Sequence, residues 1–120
     1  MARAGIGGGL LVAVLLLLAV ESAAQDFRVT YTVDRSAPDR TRISGAVINM
    51  ARADVLDVHV TAEAVDGGGK VVGRGITFVS PSIPQGGSAA FEAIIPVGRA
   101  AANFRVRVSN YRLGLGAQTE

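Results

Sequence analysis

The sequence predicts an all-β chain: an immunoglobulin-like antiparallel β-sandwich of six to seven strands, preceded by an N-terminal signal peptide. Three observations point there. Apolar residues alternate at period two in short segments after residue 25, and clusters of Gly, Pro, Asp and Asn separate those segments. No stretch carries a 3.6-residue period long enough to lay a helix over a sheet. Strands with one apolar face bury it most simply as two sheets packed face to face. A chain of 120 residues has room for one such domain.

Residues 1–24 read as the targeting segment. Arg3 places a positive charge ahead of LLVAVLLLLAV at positions 10–20, and Ser22 and Ala24 supply small side chains where a signal peptidase reads them. Cleavage is expected between Ala24 and Gln25, which sends the remainder to the periplasm or the outside of the cell. The alternative is retention in the inner membrane by residues 4–20, an uncharged stretch just short of the roughly 20 residues that cross a bilayer as a helix. The sandwich is then expected over 25–113, with a flexible tail at 114–120.

The strands follow in order. DFRVTYTV at 26–33 puts Phe27, Val29, Tyr31 and Val33 on one face and Arg28, Thr30 and Thr32 on the other. A polar stretch containing Pro38 ends it. ISGAVINM at 43–50 is the second strand, and its Gly45 predicts a bulge or a close backbone contact. In Val55–Val65, Leu56, Val58, Val60, Ala62 and Ala64 alternate with Asp57, His59, Thr61 and Glu63, which predicts one core face and one face toward water. Asp66-Gly67-Gly68-Gly69-Lys70 supplies residues that tolerate positive φ at a hairpin tip, and residues 71–80 return as the fourth strand. PSIPQGG at 81–87 reads as a turn-rich crossing. Ser88–Ile95 gives a fifth strand with Phe91, Ala93 and Ile95 inward, ended by Pro96. After a linker at 97–102 that suits a helical turn, Asn103–Leu113 closes the domain with Phe104, Val106 and Val108 against Arg105, Arg107 and Ser109.

The middle of this pattern resembles a known module. Ile43-x-Gly45-x-Val47-x-Asn49, Val65-Asp66-x-x-Gly69-Lys70-Val71-Val72, Ile83-Pro84-x-Gly86, Phe91 and Phe104-x-Val106-x-Val108 are similar to the FxLYD-type domains. These are small extracytoplasmic immunoglobulin-like domains of bacterial and archaeal envelope proteins. The chain has Glu63-Ala64-Val65-Asp66 where that family has an aromatic residue, Leu and Tyr before the Asp. The resemblance implies a scaffold or binding role and no catalytic residues.

Composition removes several chemistries. With no cysteine there is no disulfide framework, thiolate metal site, cysteine nucleophile or lipidated N-terminal cysteine. The net charge of +2, without a clustered basic stripe, argues against a nucleic-acid partner. His59 is the one histidine; an imidazole without cysteines does not make a zinc site, and its polar strand face reads as solvated. A hydrolase reading needs Asp57 to orient His59 and Ser80, Ser82 or Ser88 as nucleophile. Gly67 to Lys70 lacks the Ser/Thr and helix of a phosphate loop, and Gly73-Arg74-Gly75 lacks the third glycine of a dinucleotide fingerprint. Asp34, Asp39, Asp54, Asp57 and Asp66 fall in or near turns, where Asp bonds its own backbone, and do not form a calcium-loop pattern.

No catalytic, cofactor-binding or metal-binding residues are therefore assigned. The candidate partner-contact face is Arg105 and Arg107, joined by Arg28 if the first strand pairs nearby; the plainer reading is a charged face that blunts an edge strand. The expected function is a non-enzymatic, exported binding or structural module of the bacterial cell envelope. It acts through contacts with an envelope protein, without cofactor or nucleic acid, and touches membrane only if the N-terminal segment is retained. The alternative is a small-ligand or metal-ion binding protein using the loops at one end of the sandwich.

Overall fold

The structure, a computed structural model, describes residues 18–22, 26–96 and 101–114. The cleavage point expected at Ala24 and Gln25, residues 4–17 of the apolar segment, the linker at 97–100 and the tail at 115–120 lie outside the described residues. Seven strands are described: β1 (Leu18–Ser22), β2 (Phe27–Asp34), β3 (Thr41–Asn49), β4 (Val55–Val65), β5 (Val71–Ile83), β6 (Ser88–Ile95) and β7 (Asn103–Leu113). They form two antiparallel sheets, one in the order β1-β2-β3-β6 and the other in the order β5-β4-β7.

The alternation read from the sequence is what buries the core. Phe27, Val29, Ile43, Val47 and Ile95 come from the first sheet and Val58, Val60, Ala62 and Val106 from the second, all buried in one apolar cluster. Phe91 and Ala93 join them on β6, and Phe104 packs half-buried at the edge. Burying a Val, Ile or Phe side chain contributes about 1.5–3 kcal/mol each, so a core this small depends on every strand keeping its register.

Three features depart from the sequence-based expectation. β1 lies in the segment assigned to targeting, and here it pairs along β2 from Leu18 opposite Tyr31 to Ser22 opposite Phe27. β5 continues through Pro81 to Ile83 instead of ending at Ser80. An edge strand tolerates a proline whose missing N–H faces away from its neighbour, and fully buried Ile83 opposite Val55 anchors the extension. In β4 the alternation breaks once: Asp57 has φ 53, the register shifts around Val58 and His59, and Val55 and Val58 both point inward while Leu56 is only half-buried.

The DGGGK hairpin forms as expected. Gly69 takes φ 90, and the Asp66 carboxylate accepts hydrogen bonds from the Gly68 and Lys70 amides, both at 2.9 Å. Turn chemistry thus accounts for this glycine run. Gly45 also behaves as expected: a Cβ there would strike the Thr30 carbonyl and the Tyr31 Cα on β2.

Asn49 joins two of the three crossings between sheets. Its side-chain amide donates to the carbonyls of Ala53 and Ile83, each at 2.9 Å, and its Oδ1 accepts from the Ala51 amide at 2.8 Å. Its backbone N–H donates to Gly87 and its carbonyl accepts from Gly86. One fully buried polar residue therefore holds the β3–β4 link and the β5–β6 link together.

Candidate partner-contact face

The outer face of the β5-β4-β7 sheet is built by period-two alternation in three strands at once. Register places side chains in rows across it: Arg74, Glu63 and Arg105 in one row, Ile76, Thr61 and Arg107 in the next, then Phe78, His59 and Asn110. β4 contributes the middle column. Because it is flanked on both sides, its outward residues do not meet open water as the alternation suggests; Thr61 and Glu63 are buried. Long arginine side chains from both neighbours arch over Glu63 and cover it.

Glu63 is the hub of this face. Arg74 donates to its Oε2 through Nε at 3.3 Å and Nη2 at 3.1 Å, and Arg105 Nη2 donates to Oε1 at 3.2 Å. Arg107 Nη1 lies 3.5 Å from the same Oε1. The Glu63 side chain is only 7% exposed, whereas those of Arg74, Arg105 and Arg107 are 53%, 58% and 49% exposed. Burial works against ionisation of Glu63, but the Arg74 hydrogen bond and the charges of Arg107, Arg105 and Arg74 outweigh it and hold the carboxyl below its ordinary range. Three guanidiniums share one carboxylate, so positive charge is left over at the surface.

Beside the arginines lies an apolar pair. Ile76 and Phe78 project from β5 with 64% and 51% of their surface exposed. His59 packs its ring edge-on to Phe78 at a centroid distance of 5.2 Å. Thr61 donates to the Ser109 hydroxyl at 2.7 Å, tying β4 to β7 between the charged and the apolar ends.

The structure brings Arg105 and Arg107 together but separates them from Arg28. Arg28 is exposed on β2, in the other sheet, opposite Ile48 of β3. Inward-facing Phe27 and Val29 flank it, so Arg28 points away from the outer face of β5-β4-β7; the pairing that would add Arg28 to Arg105 and Arg107 does not form, and the third arginine beside them is Arg74. The sequence signal for Arg74 was its place two and four residues before Ile76 and Phe78. That signal was hidden because β5 carries apolar residues on both of its faces, Ile76 and Phe78 outward and Val72 and Val79 toward the core.

The residues weighed for hydrolysis do not assemble. The Asp57 carboxylate is held by Arg112, whose Nε and Nη2 donate to Oδ2 at 2.9 and 2.7 Å. His59 meets the Asp57 backbone carbonyl instead, with Nδ1 at 3.2 Å. Ser80 donates its hydroxyl to the Ser82 carbonyl at 2.8 Å, and Ser88 lies in the other sheet opposite Ile48. Among the described residues no group of three or more His, Asp or Glu side chains converges as metal ligands would. No family model, no curated protein and no solved structure matches this chain.

Proposed function

We propose that this chain is an exported, non-enzymatic binding module of the bacterial cell envelope, acting through protein–protein contacts made by the outer face of the β5-β4-β7 sheet. The observation that carries the reading is the combination on that one face of three half-exposed arginines around Glu63 with the exposed pair Ile76 and Phe78. Arginine and large apolar side chains are what binding surfaces concentrate, and a face prearranged by a buried carboxylate loses little conformational entropy when covered. The leader-like residues 1–24 support export.

An immunoglobulin-like sandwich of the FxLYD type is the form of scaffold proposed. The order β2-β3-β6 against β5-β4-β7 supports the immunoglobulin-like form, since it follows the A-B-E and C′-C-F arrangement of such domains, and the FxLYD type rests on the motif resemblance alone. Fold alone confers no function, so the reading rests on the face.

The test is in-cell cross-linking of a C-terminally tagged full chain, followed by capture and mass spectrometry that also reads the N-terminus. One dominant envelope partner, lost in the R105E/R107E variant, together with an N-terminus at Gln25, is the expected result. A chain that yields only itself, or a partner captured equally by R105E/R107E, contradicts the proposal.

A further inference from the structure

We propose that the outer face of the β5-β4-β7 sheet takes an acidic protein segment in extended form, whose carboxylates meet Arg105, Arg107 and Arg74 and whose apolar side chains cover Ile76 and Phe78. The inference rests on the reading of the chain as a binding module and names the chemistry of its partner.

Charge argues for the acid. Each guanidinium carries five N–H donors in a planar fork, and the two oxygens of Glu63 cannot accept from all three arginines' donors. Glu63 instead fixes where the forks stand, half-exposed and in register, which is the geometry that carboxylates recognise. The excess positive charge on this face has no acidic side chain other than Glu63 within its rows.

Spacing argues for an extended segment. Arg105 and Arg107 are two residues apart on one strand, so their side chains leave the sheet about 7 Å from one another, the repeat of alternate residues in a second extended chain. The β5 column of Arg74, Ile76 and Phe78 runs parallel to it, two interstrand spacings or about 10 Å away. A strand-like segment lying over the face can therefore set carboxylates on one side and apolar side chains on the other.

An anionic membrane surface is the poorer fit. Lipid binding places apolar side chains deeper than the cations that meet the headgroups, whereas Ile76 and Phe78 stand in the same sheet plane as the arginines.

The test titrates the isotope-labelled protein, as isolated from cells making the full chain, with three probes followed by amide NMR. They are a capped peptide Glu-Phe-Glu-Ile-Glu-Phe-Glu, the same peptide with Lys in place of every Glu, and phosphatidylglycerol vesicles. The acidic peptide is expected to shift the amides of Arg74, Ile76, Phe78, Arg105 and Arg107, to bind about tenfold more weakly to R105E/R107E, and to weaken as salt is raised. A second variant, I76S/F78S, altered only at exposed positions, is expected to bind about fivefold more weakly. Shifts confined to the other sheet, equal binding by the lysine peptide, or binding of vesicles without binding of the acidic peptide overturns the proposal. If the peptide fails while a photo-cross-linker at position 76 still captures one envelope protein, the partner chemistry is wrong and the binding-module reading stands; if both fail, the reading fails too.

Discussion

Glu63 Oε1 and Arg105 Nη2 sit 3.2 Å apart as cross-strand neighbours of β4 and β7, and this pair puts a buried charge on a face that alternation alone marks as solvent. The carboxylate is shielded and its partners are half in water. Replacing this carboxylate by an amide therefore leaves three guanidiniums facing one another, able to rehydrate but without the shared negative charge and with one acceptor oxygen in place of two. Glu63→Gln is expected to destabilise the fold by about 1–2 kcal/mol, below the full cost of breaking a buried pair because the arginines stay wet. Urea unfolding of the variant beside the parent checks it.

The same group makes stability depend on pH. Its folded-state pKa is depressed, so the stabilisation is fully present above the ordinary glutamate value of 4.5 and is lost as pH falls through the lower folded value. Asp34, lowered by hydrogen bonds from Ser36 and by the charge of Arg42, acts in the same direction. Melting curves of the parent and of Glu63→Gln are therefore expected to converge as pH drops below 4.5. A gap that stays constant to acid contradicts the assignment.

Asn49→Ala deletes two donated bonds and one accepted bond made by a fully buried side chain. It strands the carbonyls of Ala53 and Ile83 and the amide of Ala51. The expected cost is about 2–4 kcal/mol, read as a drop in Tm without change in the strand signature of circular dichroism.

Gly75→Ala tests how closely the two sheets approach. A Cβ at Gly75 would strike the carbonyl of Ile94 on β6, backbone that cannot turn aside like a side chain. Destabilisation of about 2 kcal/mol or more is expected. Gly67→Ala, with nothing within 4 Å of its added Cβ, is the matched control and is expected to change stability by less than about 0.5 kcal/mol.

Much of this was legible in the chain. Phe27, Val29 and Tyr31, then Phe91, Ala93 and Ile95, show period two because each strand has one wet face, and they are buried as that period requires. The Asp66 hairpin follows from residues that accept positive φ. Pairing across strands was not legible, because alternation says which face a residue takes and not which strand lies beside it. Hence alternation alone does not separate Arg28, which belongs to the opposite sheet, from Arg105 and Arg107, nor does it point to Arg74, which grips Glu63. The β4 bulge at Asp57 was equally silent, since Asp tolerates both extended and left-handed backbone.

The most direct measurement places a photo-cross-linking amino acid at position 76 in one full-length chain and at position 28 in another, and compares what each captures in living cells. A single envelope protein is expected from position 76, abolished by R105E/R107E, and none from position 28. Capture from position 28 alone, or equal capture from both, would contradict the claim that the β5-β4-β7 face is the one that binds.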